Sequence, residues 1–245
     1  MRILAFDTST ASCSVAVCQD DRLLAERYEE MPRGQSEALV PMIDAVLKEA
    51  ELKPENIDLL AVSTGPGAFT GVRIGLATAR ALALALNCPL IGVSTFEALV
   101  HGLDDPIDDP INEPMGRQIL CIIDTKRGDV FAQQFDSDLA TVGDASVMSY
   151  EDVQGRIKKI RNEDGRAEGR TVLVGDGISG FLSICDKALI DTLDVYELAP
   201  RAEIIAEIAA LRGIPDTDIL LPKSPEAIYL RPPEAKISPN GGRLR

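Results

Sequence analysis

The sequence predicts an α/β protein of two lobes, each a mixed sheet with helices, made by using one structural unit twice. Three observations predict it. Short apolar runs bounded by turn residues alternate with stretches of helical periodicity. An acidic segment with three prolines, LDDPIDDPINEPMG at 103–116, divides the chain near its middle. Beyond it, ILCIIDT at 119–125 restarts the pattern of ILAFDT at 3–8, so that a strand, an Asp-Thr turn and a returning strand occur twice. The units are read as an N-terminal lobe at 1–102, a linker at 103–116, a C-terminal lobe at 117–225 and a tail at 226–245.

In the first half, 2–6 and 13–18 form a hairpin, with a third strand at 22–28. The turn between the first two holds Asp7, Thr8, Ser9, Thr10 and Ser12. A carboxylate and four hydroxyls after a buried strand could hold a metal-bound phosphate, or could close the turn through side-chain to backbone bonds. Residues 35–52 follow as a helix, with Ser36 as N-cap and Leu39, Met42, Ile43, Val46, Leu47 and Ala50 over a wide arc. Pro41 predicts a kink or a late start there. A strand at 57–62 then feeds a glycine-rich turn and a long helix, STGPGAFTGVRIGLATARALALAL at 63–86.

Gly65, Gly67 and Gly71 permit backbone conformations that a Cβ forbids, while Pro66 fixes its own φ and biases Gly65 towards extended. Thr70 is the expected N-cap, Asn87 and Pro89 the stop, and the helix runs over about Gly71–Leu86. Its only polar members are Arg73, Thr78 and Arg80, so both broad faces need cover. Gly71, Gly75, Ala79 and Ala83 recur every four residues, a smooth stripe along which another helix can approach. A helix buried within its own domain and a helix shared with a partner both fit that stripe. A membrane span fits less well, since the segment falls short of the ~20 apolar residues a bilayer needs and carries two arginines. A phosphate loop is also weakly supported, for neither Gly-Lys-Ser/Thr nor Gly-x-Gly-x-x-Gly is present.

After a strand at 90–93, Ser94 caps a helix with Glu97 at the capping-box position. His101, the single histidine, ends it. In the second half, strands at 119–125 and 129–135 precede a helix near 150–160 and a charged loop at 162–170. A strand at 171–174, the turn Gly175-Asp176-Gly177 and a helix with Ile204, Ile205, Ile208 and Leu211 at helical spacing follow. Ile228-Tyr229-Leu230-Arg231 precede Pro232-Pro233, after which the chain is expected to be loose.

The chain has 25 Lys and Arg against 39 Asp and Glu, a net charge of −14. That argues against this chain holding nucleic acid alone, because phosphate binding needs a basic surface. Five scattered cysteines without a Cys-x-x-Cys pair are expected as reduced thiols, and MRILAFDTST does not read as a signal peptide, so a cytoplasmic location is expected. One histidine cannot supply a His-x-x-x-His metal pair, and no carboxylate cluster stands at ligand spacing, so no metal and no catalytic residue is assigned.

GPGAFTGVRIGLATARALA, with ILAFDTSTASCSVAV, IIDTKRGDVFA, VLVGDG and AIYLRPPEA in that order, resembles the glycoprotease-like family over nearly the whole chain, in its bacterial TsaB (YeaZ) group. The resemblance implies the duplicated actin-like ATPase (ASKHA) fold. It also implies a non-catalytic partner of the paralogue TsaD which, with TsaC and TsaE, forms threonylcarbamoyladenosine at position 37 of tRNAs reading ANN codons. The partner surface is assigned to Leu39, Met42, Ile43, Val46, Gly71, Val72, Gly75, Leu76, Ala79 and Ala83, packing against TsaD or, when TsaD is absent, a second copy. By the same resemblance Asp7, Thr8, Ser9 and Asp124 occupy the places where actin-like ATPases position metal-bound phosphates. No cofactor is expected to bind tightly, and weak ATP or ADP binding is expected at a partner interface. An autonomous ATP-binding enzyme is the alternative, with a glycoprotease-type peptidase behind it. Family members often carry His-Ser where this chain has Gln35-Ser36, which leaves the start of that helix in doubt.

Overall fold

The computed structural model describes residues 1–20, 22–103, 118–163, 171–214 and 224–231. Two five-stranded sheets carry the same design. The first comprises β1 (Arg2–Asp7), β2 (Ser12–Gln19), β3 (Arg22–Glu30), β4 (Leu59–Ser63) and β5 (Leu90–Val93) in the order β3-β2-β1-β4-β5. The second comprises β6 (Ile119–Asp124), β7 (Asp129–Phe135), β8 (Thr141–Ser149), β9 (Thr171–Val174) and β10 (Leu193–Tyr196) in the order β10-β9-β6-β7-β8. Read from the opposite edge, that is the first order again. In each sheet the founding strand pairs antiparallel with its hairpin partner and parallel with the strand after the first helix. Asp7 and Asp124 close the two founding strands. The repeated Asp-Thr turn marks a duplicated unit, and the fold is the duplicated actin-like one that the family resemblance implied.

Helices cover both faces of both sheets. Strand alternation sends Leu4 and Phe6 of β1 towards α1 (Gln35–Glu49) and α2 (Phe69–Leu86), and Ile3 and Ala5 towards α7 (Ala202–Arg212). On β6, Leu120 and Ile122 meet α4 (Tyr150–Glu163) and α5 (Ile178–Leu182), while Ile119, Cys121 and Ile123 meet α3 (Thr95–His101). A short α6 (Lys187–Ile190) precedes β10. The last helix of each unit therefore packs on the sheet of the other. This differs from the sequence division, which put 202–212 in the C-terminal lobe: helical periodicity tells that Ile205 and Ile208 are buried, not by which sheet.

Several local expectations are met, and others are corrected. Ser94 and Glu97 form the capping box of α3, and Asn87 closes α2 in the left-handed region at φ 49°. Helix α1 is capped at Gly34 rather than Ser36, whose hydroxyl instead donates to Glu37. It runs through Pro41 without a late start, because Pro41 faces solvent and the chain before it is already helical. Helix α2 begins at Phe69, with Ala68 rather than Thr70 at its cap. Gly65 is not extended but sits at φ 87°, which the turn requires despite the following proline. At eighteen residues of mean hydropathy 1.4, α2 is long and apolar enough to pass for a membrane span, yet Gly71, Val72, Gly75, Leu76 and Ala79 are packed onto the first sheet. Strand β8 was not read from the sequence. The linker expectation lies outside the described residues except at Leu103, which is buried in the core beneath α3.

Candidate functional site

The turn after β1 lies beneath residues 67–71, and the chain itself seals it. Asp7, Thr8 and Ser9 are each 0% exposed. The turn 65–68 and the start of α2 lie directly over them: the Ala68 N–H donates to the Ser9 carbonyl at 2.7 Å, and the Thr8 hydroxyl donates to the Gly71 carbonyl at 2.7 Å. The glycines make this approach possible. A Cβ on Gly67 would stand 2.1 Å from the Ser9 carbonyl oxygen, and one on Gly71 would stand 1.9 Å from that of Thr8. The hydroxyls close the turn as local structure does, with Ser9 donating to Asp7 Oδ1 from both its N–H and its hydroxyl, and Thr95 donating to Ser9 Oγ.

This leaves an unusual carboxyl. Asp7 Oδ2 and the neighbouring Ser63 hydroxyl are both buried, and neither has a hydrogen-bond partner of ordinary geometry among the described residues. Burial pushes the Asp7 carboxyl up from its ordinary value, against the opposing pull of Ser63 and Ser9.

The equivalent turn of the second unit is open, but it holds its own cation. Asp124 Oδ1 accepts from the Lys126 N–H at 2.6 Å, Oδ2 accepts from Lys126 Nζ at 2.8 Å, and the same ammonium lies 3.9 Å from Asp176. Asp176, in the turn after β9, accepts from the Asp124 N–H at 2.9 Å. Its carboxyl is pushed up to about 6, chiefly by burial. Lys126 thus balances the charge of Asp124 and lies within reach of Asp176. Among the described residues no three His, Cys, Asp or Glu side chains are grouped as metal ligands.

Beside these turns is a cleft of about 510 Å³, lined from the first lobe by 67–69, Val72 and Arg73, from the second by Thr125, Arg127 and Phe131, and by 228–231 of the tail. The Arg73 guanidinium lies 3.6 Å from the centre of the Phe69 ring, and its Nε donates to the Tyr229 hydroxyl at 3.0 Å.

The residues assigned from sequence to a partner surface are not at the surface. Leu39, Met42, Ile43, Val46, Val72, Leu76 and Ala79 are buried in one cluster against Leu4, Phe6, Leu60 and Val62, with Ala83 packed half-buried at its margin. Gly71 and Gly75 face Thr8, and a Cβ on Gly75 would lie 2.8 Å from the Thr8 hydroxyl. The small stripe does permit a close approach, but the element that approaches is the chain's own turn after β1 and not another helix. What α2 leaves outward is its opposite side. Ala77, Ala81, Leu84 and Ala85 follow one another at helical spacing and are exposed, Leu84 by 84%, while Val40 on the neighbouring α1 is 59% exposed. A helical wheel centred opposite the glycines would have found them.

Two sheets of one strand order, each with an Asp-bearing turn at the end of its founding strand, define a class: a duplicated actin-like fold. A family model described as TsaD, tRNA N6-adenosine threonylcarbamoyltransferase, matches residues 29–184. The tRNA threonylcarbamoyladenosine biosynthesis protein TsaB of Escherichia coli K12 is 29% identical, over 94% of this chain and 95% of its own length. The TsaB of Buchnera aphidicola subsp. Schizaphis graminum is 30% identical over 71% of this chain and 78% of its own. A solved Pseudomonas aeruginosa structure, described as similar to peptidase YEAZ, superposes with a TM-score of 0.71 at 27% identity, covering 94% of this chain and 99% of that one. The chain belongs to the TsaD-type family, in its TsaB (YeaZ) branch.

Proposed function

We propose that this chain is a non-catalytic subunit in the formation of threonylcarbamoyladenosine in tRNA, acting by holding a TsaD-type partner through the outer faces of α1 and α2. The observation that carries the proposal is the apolar outward side of α2. Ala77, Ala81, Leu84 and Ala85 form an exposed apolar row bordered by Arg73 and Arg80, on a helix whose inner side is already satisfied. A partner helix laid along that row removes Leu84 from water, with Arg80, one turn before Leu84, at the edge of the contact. The burial of Asp7, Thr8 and Ser9 and the Lys126–Asp124 pair in the second turn support a role without turnover. TsaE in the same assembly, and a homodimer in the absence of the TsaD-type protein, belong to the same reading. So does weak ATP or ADP binding at the partner interface.

The test is size-exclusion chromatography of this chain with the TsaD-type protein of the same cell, using Leu84→Asp and Ala81→Arg. Both place a charge on the outward row without touching the buried cluster, so the melting temperature should stay within a few degrees of the parent. Complex formation should weaken at least tenfold, as a desolvated, unpaired charge costs a few kcal/mol. Undiminished association of both variants would place the partner surface elsewhere. Steady ATP hydrolysis by the chain alone, lost on Lys126→Ala or Asp176→Asn, would favour the autonomous enzyme instead.

A further inference from the structure

Residues Ser224–Arg231 form neither helix nor strand, yet almost every one of them is engaged. The Ser224 hydroxyl accepts from Arg80 Nε at 2.9 Å, and the Pro225 carbonyl accepts from Arg80 Nη2 at 2.6 Å. The Pro225 ring lies over Gly92 of β5, where an added Cβ would come within 2.7 Å of it. Ala227 rests on the core beneath α1 and α2, and the Ile228 N–H donates to the Thr64 carbonyl at 2.8 Å, just beyond β4. The Tyr229 ring stands 5.7 Å from Phe69, and its hydroxyl accepts from Arg73. All of these partners belong to the first lobe. The next two residues change sides: Leu230 packs in the cluster with Phe131 and Ile119, and Arg231 pairs with Asp129 at the start of β7.

We infer that Ser224–Arg231 is a latch that fixes the angle between the two lobes, with the Tyr229 ring, held between Phe69 and Arg73, as its catch and the Arg231–Asp129 pair as its far anchor. A segment that merely trailed over the surface would have no reason to switch lobes between consecutive residues at the edge of a cleft it also lines. The bonds suit a part that opens. Tyr229 is more than half exposed, the Arg80 contacts face solvent, and the segment joins no ladder of strand pairs, holding the first sheet by one backbone bond. Elements held this way open at lower free energy than the strands they cross. Among the described residues the other joint between the lobes is the exchange of α3 and α7, which is buried and stays when the latch lifts.

The test uses the full chain with Tyr229→Ala and Arg231→Ala combined, and Tyr229→Phe alone, read by hydrogen exchange and small-angle scattering. The double variant should exchange at least tenfold faster at 65–73 and at 125–131 together, one segment from each lobe, while 59–63 and 119–123 stay as protected as in the parent. The scattering should report a larger radius of gyration. Tyr229→Phe keeps the ring and should lie close to the parent. Faster exchange confined to 224–231, with both cleft segments and the radius unchanged, would make the segment a passenger and overturn the inference. Loss of protection in the strands would also overturn it, by making the segment part of the core.

Discussion

Gly71→Ala should destabilise this protein by about 2 kcal/mol, although the same substitution in an ordinary helix interior stabilises it. Alanine is favoured over glycine in a helix by roughly 1 kcal/mol. At residue 71, the third of α2, the new methyl would stand 1.9 Å from the Thr8 carbonyl oxygen and 3.1 Å from its carbon. Both atoms are backbone in a fully buried turn, so the helix or the turn must move by more than an ångström to reach contact distance. Overpacking of that kind costs about 1–3 kcal/mol, and the same movement stretches the Thr8 to Gly71 hydrogen bond, worth about 1 kcal/mol more. The favourable propensity offsets only part of this. In a chain of this size 1 kcal/mol shifts the melting temperature by roughly 2–4 °C, so a fall of about 4–8 °C is expected by calorimetry or circular dichroism. Gly155→Ala is the paired control. Gly155 lies within α4 with no atom within 4 Å of its missing Cβ, and alanine there should raise the melting temperature by roughly 1–4 °C. A Gly71→Ala protein as stable as its parent would refute the close approach on which the account of the sealed turn rests.

Three further outcomes are expected. Asp176 has a folded value of about 6 against an ordinary 3.8, so its contribution is complete below 3.8 and is lost as pH rises through 6; acidifying from pH 7 to pH 5 should raise the melting temperature, and Asp176→Asn, which keeps an acceptor for the Asp124 N–H, should flatten that rise, whereas an unchanged pH profile would show the carboxyl to be ordinary. Asp58 behaves in the opposite sense, because the hydrogen bonds from Arg2 hold its carboxyl below 3.8: its stabilisation is present above 3.8 and lost as pH falls through the lowered value, so Asp58→Asn should melt below the parent at pH 7 and converge with it in strong acid. Asp7→Asn keeps the acceptor used by Ser9 and gives the unpartnered side of the group a donor towards Ser63, so it should melt no lower than the parent at pH 7 and leave partner association intact; a clear loss in either would mean that the charge itself is needed.

What the sequence made legible is what local chemistry writes. The hairpin of β1 and β2, the repeat of the Asp-Thr turn, the Ser94–Glu97 capping box and the Asn87 stop each depend on residues within a few positions of one another. Strand β8 escaped because Thr141–Ser149 is a partly exposed edge strand with little apolar alternation to betray it. The destination of α7 escaped for another reason: Ile205 and Ala209 need an apolar surface, and either sheet offers one. The candidate site was legible by position and misread by contact. Gly71, Gly75 and Ala79 do mark a close approach, but spacing along a helix cannot say whether a foreign helix or the loop after β1 comes near, since that loop is more than sixty positions away in the chain.

One placement of α2 shapes both the turn after β1 and the helix's own outward side. Here the Gly67 and Gly71 backbones lie so close over Thr8 and Ser9 that the first turn gives the Ser9 carbonyl to Ala68 and the Thr8 hydroxyl to Gly71. In the second, Lys126 supplies one positive charge to Asp124 and lies within reach of Asp176. Both turns are thus held by bonds within the chain. The helix whose glycines seal the first turn is the one whose far side carries exposed Leu84. Fastening α2 inward along 71, 75 and 79 orients 77, 81 and 84 outward, so the sealing of the turn after β1 and the exposure of that row follow from the same placement of one helix.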